Sequence, residues 1–107
     1  MGNRLLAMAA ILAIVLGGLW YAHQAFKTRH WEEFNAAGNR AFSRGNYPYA
    51  EKMYREALQR AEDLGPRNAR VVKSLRALHR LYKAQGKTQK ADSLLARARA
   101  LRGSEKR

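Results

Sequence analysis

Residues 5–22 (LLAMAAILAIVLGGLWYA) run for eighteen positions without a charge. As one helix this stretch rises ~27 Å, close to the roughly 30 Å of a bilayer's hydrocarbon core. Beyond it the pattern changes, and apolar residues recur three and four apart, the period of an amphipathic helix. Val71, Leu75, Leu78 and Tyr82 form one such stripe, and Ala91, Leu94, Leu95, Ala98 and Leu101 form another. Gly45-Asn46, Gly65-Pro66 and Gly86 interrupt the pattern. The spacing predicts four helices: one to about Arg44, one from Tyr47-Pro48 to Gly65, one from an N-cap at Asn68 to Gly86, and one from about Thr88 to Leu101. No glycine or proline lies between Leu19 and Ala37, so the apolar helix is expected to run unbroken into the first soluble one.

The soluble part repeats itself at an offset of 41 residues. Gly45 recurs as Gly86, Ala50 as Ala91 and Ala57 as Ala98. Phe34, Ala37 and Tyr54 recur as Leu75, Leu78 and Leu95. Such a period marks stacked copies of one supersecondary unit. The expected fold is all-α: a single N-terminal transmembrane helix followed by two helix-turn-helix units, an α-solenoid. The expected boundaries are 1–29 for the anchor and juxtamembrane helix, 30–101 for the repeat domain (30–65 and 66–101), and 102–107 for a frayed basic tail.

The apolar segment has two readings. A cleaved secretory signal shares its short basic start and apolar core. The junction Trp20-Tyr21-Ala22-His23-Gln24-Ala25 has no small residues two apart, so an uncleaved anchor is expected. Arg4 stands at one end, and Trp20 and Tyr21 at the other, where amphipathic rings favour the headgroup zone. Ala9, Ala13 and Gly17 fall four apart, a spacing that lets another transmembrane helix approach closely; small residues are also simply common in membrane helices.

The repeat resembles the tetratricopeptide family. The residues that carry the likeness are Phe34, Ala37-Gly38, Ala41, Ala50, Tyr54 and Ala57 in the first unit. In the second they are Leu75, Leu78-His79, Tyr82, Ala91, Leu95 and Ala98. The long stretch AEDLGPRNARVV between the units is similar to the kinesin-light-chain type of repeat. His79 departs from the pattern, standing where the family has a small residue, so the second unit is expected to pack less tightly. Thr88 replaces the tyrosine kept as Tyr47. No cap helix follows, and about three units are usually needed for stability. Extra burial is therefore expected from self-association, a partner subunit or the anchor helix itself.

Charge sharpens the picture. The net charge is +13, with 21 Lys+Arg against 8 Asp+Glu. From Pro66 onward thirteen basic residues face only Asp92 and Glu105, so an acidic partner is expected. The resemblance implies a groove lined by the first helix of each unit. Its positions fall on Glu32, Asn35, Asn39, Phe42 and Ser43, then on Lys73, Arg76, Arg80, Lys83 and Ala84. The candidate binding residues are Asn35, Asn39, Lys73, Arg76, Arg80 and Lys83, with arginine forks suited to carboxylates. The plainer reading of the basic stripe is a solvated helix face.

No cysteine is present, which excludes disulfides and thiol chemistry. His23, His30 and His79 form no metal or catalytic motif. No enzyme activity, cofactor or metal is expected. The expected function is a membrane-anchored adaptor or accessory subunit whose partner is an acidic protein segment or a larger membrane complex. The alternative is an electrostatic binder of anionic membrane surface. Nucleic acid is disfavoured, because Tyr82 is the only aromatic of the basic unit and belongs to its core. The expected location is single-pass in a bacterial inner membrane. Arg4 with the α-amino group nearly ties with Lys27, Arg29 and Arg40 in positive-inside counting. The export-signal-like start favours a periplasmic repeat domain over a cytoplasmic one.

Overall fold

A computed structural model of the protein describes residues 2–105; Met1, Lys106 and Arg107, and so the end of the basic tail, lie outside the described residues. The chain forms four helices: α1 (Gly2–Ser43), α2 (Tyr47–Leu64), α3 (Ala69–Ala84) and α4 (Thr88–Glu105). There is no strand among the described residues. Each helix packs against the next in order, giving two antiparallel hairpins side by side, an α-solenoid of two units.

The 41-residue repeat is a repeat of geometry as well as of residue type. Gly45 and Gly86 adopt φ of 75° and 76°, the left-handed conformation that only glycine enters without penalty. The amide after each glycine reaches back to the same place. Asn46 donates to the Ala41 carbonyl at 2.9 Å, and Lys87 donates to the Tyr82 carbonyl at 2.8 Å. Each bond closes a Schellman motif that satisfies the last carbonyls of the helix. Pro48 then sits in the first turn of α2, where its missing N–H costs nothing. Asn68 caps α3, its Oδ1 accepting the Arg70 amide at 2.9 Å. Helix α4 continues to Glu105, past the expected stop at Leu101. Gly103 does not take a positive φ there, and no proline follows to end the helix.

The core lies in two adjoining clusters. One gathers Ala41, Ala50, Tyr54, Ala77, Leu78, Leu81, Tyr82 and Ala91. The other gathers Trp31, Ala57, Ala61, Val71, Leu75 and Ala98. Ala50, Ala57, Ala61 and Ala98 are fully covered, so small residues set the distance between helices. Gly38 does the same in α1, where a Cβ would meet the Tyr54 ring at 2.5 Å. At the equivalent place in the second unit His79 fills the space, with Nδ1 2.8 Å from the Ala91 carbonyl. Leu95, the counterpart of Tyr54, is only half-buried.

Helix α1 is one continuous rod of 42 residues. Its N-terminal part is long and apolar enough to cross a membrane, and none of that window is buried within the fold. From Leu5 to Tyr21 its large apolar side chains are 51–74 % exposed. This arrangement fits a single anchor helix. The anchor adds no burial to the repeat units, so that expected source of stability is not used.

Candidate functional site

The C-terminal part of α1 and the whole of α3 are the first helices of the two units, and they lie on the same side of α2. Asn35 is half-buried and Asn39 exposed on α1. Lys73, Arg76, Arg80 and Lys83 are all exposed on α3, and none forms an ion pair among the described residues. Four carboxylates of α2 are engaged with other basic residues: Glu51 with Arg55, Glu56 and Asp63 with Arg60, Glu62 with Arg97.

Tyr54 of α2 donates to Asn39 Oδ1 at 2.6 Å. Burial pushes the Tyr54 hydroxyl above its ordinary pKa, and the charge of Arg80 partly opposes that rise. The hydrogen bond holds the Asn39 carboxamide oxygen inward and leaves its nitrogen as a donor. Arg76 looks elsewhere. It shares a surface depression of about 450 Å³ with Arg99, Arg102 and Gly103 of α4. Arg76 thus stands on the α4 side of the stripe.

Arg99 and Arg102 were not among the residues singled out from the sequence. A signal for Arg99 exists: Arg76 and Arg99 lie eleven and twelve residues from Lys87, and nearly equal distances from a tight turn bring residues abreast in an antiparallel hairpin. Tyr54 shows no such signal, because its core role hides the use of its hydroxyl.

A second polar cluster ties the units together. Tyr82 of α3 donates to Glu51 Oε1 at 2.8 Å and accepts from Arg55 at 2.8 Å; Arg55 and Glu51 are themselves 2.9 Å apart. The Tyr82 bond, helped by the Arg55 charge, holds the Glu51 carboxyl below its ordinary pKa against the opposing effect of burial. Lys87 and Lys90 lie over the ring of Tyr82 at 5.9 and 5.6 Å. Buried Ser74 meets α1 in the same manner, accepting from Trp31 Nε1 at 2.8 Å.

Ala9, Ala13 and Gly17 are exposed on α1, and a Cβ at Gly17 would meet nothing within 4 Å. Trp20 and Tyr21 are 65 % and 72 % exposed. His23 and His30 line a depression of about 330 Å³ with Phe26, Lys27, Arg60 and Asp63. Among the described residues no group of His, Cys, Asp or Glu could hold a metal ion.

The family model described as tetratricopeptide repeat matches residues 33–104. No curated protein and no solved structure matches the chain.

Proposed function

The chain belongs to the tetratricopeptide repeat family, and from that premise we propose that it is a membrane-anchored adaptor or accessory subunit that holds an acidic segment of a protein partner. Repeat arrays of this kind present extended surfaces for protein partners. The observation that carries the finer reading is the set of exposed, unpaired Lys73, Arg80 and Lys83 on α3, on the helix following the one whose Tyr54 hydroxyl holds the Asn39 carboxamide oxygen. Charged hydrogen bonds from arginine to carboxylate are the strong kind, and the carboxamide nitrogen of Asn39 can hold a peptide carbonyl. The long stretch between the units supports a kinesin-light-chain-like repeat. Any further stabilisation comes from the partner or from self-association.

The exposed apolar face of α1 supports the anchor, with Ala9, Ala13 and Gly17 available to a neighbouring transmembrane helix. A domain longer than about 60 residues translocates largely regardless of its charge, which supports an outward-facing repeat domain, in a periplasm if the membrane is a bacterial inner one. The test is capture from detergent-solubilised membranes by the full chain and by its Lys73→Glu/Arg80→Glu variant. A partner held by the wild type, released by salt and lost on charge reversal supports the adaptor. Equal capture by both proteins refutes the groove.

A further inference from the structure

We propose that the edge of the repeat domain nearest the anchor is seated on anionic phospholipid headgroups, through Lys27, Arg67, Arg70, Arg99 and Arg102. This inference rests on the reading of α1 as a membrane anchor. It concerns a different surface from the groove.

The placement follows from the direction of the four helices. Helix α1 leaves the apolar run at Ala22 and climbs to the turn at Gly45. Helix α2 returns, α3 climbs again, and α4 returns. One end of the bundle therefore carries the end of α2, the start of α3 and the end of α4. Contacts fix its height. His23, Phe26, Lys27 and His30 line one depression with Arg60 and Asp63, so the end of α2 stands beside the first residues beyond the apolar run. The turn of Gly65, Pro66 and Arg67 follows directly. The Arg70 guanidinium lies 5.6 Å from the Trp31 ring, and Leu101 packs on the cluster containing Trp31. Trp31 itself stands only about 14 Å above Ala22, nine residues along a helix.

The headgroup layers add roughly 5–8 Å on each side of the hydrocarbon core. Basic side chains with several rotatable bonds span the remaining gap. Phe26 is 61 % exposed on the same juxtamembrane turn, beyond Trp20 and Tyr21, where an aromatic ring suits the interface.

Charge complementarity selects the occupant. Glu62 and Asp63 at this edge are engaged by Arg97 and Arg60. Glu32 and Glu33 stand above it, sharing a depression with Arg29 and Arg40. Lys27, Arg67, Arg70, Arg99 and Arg102 have no carboxylate partner among the described residues. A cluster of this size beside a transmembrane helix is what attracts anionic lipid, each well-placed residue raising local lipid binding about fivefold.

The test uses the full chain in nanodiscs of mixed phosphatidylcholine and phosphatidylglycerol. Mass spectrometry then reads the lipid retained after detergent extraction. Wild type should enrich phosphatidylglycerol. Arg67→Gln/Arg102→Gln removes two exposed charges and should lower the enrichment about fivefold per residue. Arg67→Lys/Arg102→Lys keeps the charge and should retain it, which guards against a folding defect. Arg44→Gln/Lys87→Gln removes two charges at the far end and should also retain it. Equal losses in the near and far variants would show attraction by net charge and overturn the proposal, as would no enrichment. A chain that does not enter nanodiscs refutes the anchor, and this inference with it.

Discussion

Gly38 and the Tyr54 ring approach each other tightly across the first hairpin: a Cβ on Gly38 would lie 2.5 Å from ring atoms Cδ1 and Cε1. The ring cannot yield easily, since it is 1 % exposed and its hydroxyl is tied to Asn39. Gly38→Ala gains about 1 kcal/mol of helix propensity but incurs overpacking of about 1–3 kcal/mol. The expected outcome is a lower melting temperature by a few degrees, read by circular dichroism. A rise would show that the two helices are free to separate.

Ala57 and Ala98 are fully buried at equivalent places in the two units. Ala57→Leu and Ala98→Leu should each destabilise by about 1–3 kcal/mol. Thermal melts that show no loss for either would contradict close helix packing at these sites.

The Glu51 carboxyl is held below its ordinary pKa of 4.5, chiefly by the Tyr82 hydroxyl. A lowered folded pKa means the unfolded chain binds more protons in the window below 4.5, so stability rises with pH there. The contribution is fully present at neutral pH and is lost as pH falls from 4.5 through the folded value. Melting temperatures followed across that window should fall less steeply for Glu51→Gln than for wild type. Parallel curves would remove Glu51 from the account of acid sensitivity.

Arg76→Glu and Arg80→Glu should part company. The Arg80 charge opposes the rise in the Tyr54 pKa that burial causes, whereas Arg76 shares a depression with Arg99 and Arg102. Reversal at Arg80 alone should abolish capture of an acidic partner with helicity unchanged. Reversal at Arg76 alone should weaken it mainly at low salt, because exposed charges are screened beyond ~8–10 Å at physiological ionic strength. Equal effects in high salt would return Arg76 to the same binding surface.

The side of the membrane is read by a fusion after Arg107. Alkaline phosphatase placed there should be active, as expected for an exported repeat domain. An inactive phosphatase with a fluorescent green-protein counterpart would place the domain in the cytoplasm.

Much of this architecture was legible in the residues. Gly45 and Gly86 marked the turns because a left-handed closing residue has few alternatives to glycine. Val71, Leu75, Leu78 and Tyr82 marked the buried face of α3 by period alone, and all four are at most 3 % exposed. The end of α4 was less legible, since helix ends without a strong stop are set by weak local preferences. The place of Arg76 on the α4 side of the stripe was hidden for a different reason. Helical spacing places Arg76 and Arg80 on one face, but the neighbour each side chain meets depends on where α4 packs. The bond from Trp31 to Ser74 joins residues 43 apart, and no local pattern links a buried serine to an indole across that distance.

The unbroken α1 makes the protein a lever. A helix of 42 residues is about 63 Å long, with no proline or flexible joint between its apolar and soluble portions. In a bilayer, any tilt of the lower arm is carried to the upper arm undiminished. A tilt of about 20°, common among transmembrane helices, swings the far turns sideways by ~10 Å over an upper arm of ~30 Å. In the proposed anchored state, bilayer thickness, which sets tilt through mismatch with the apolar length, would set how far from the anchor's footprint, and at what angle, the exposed face of α3 is presented.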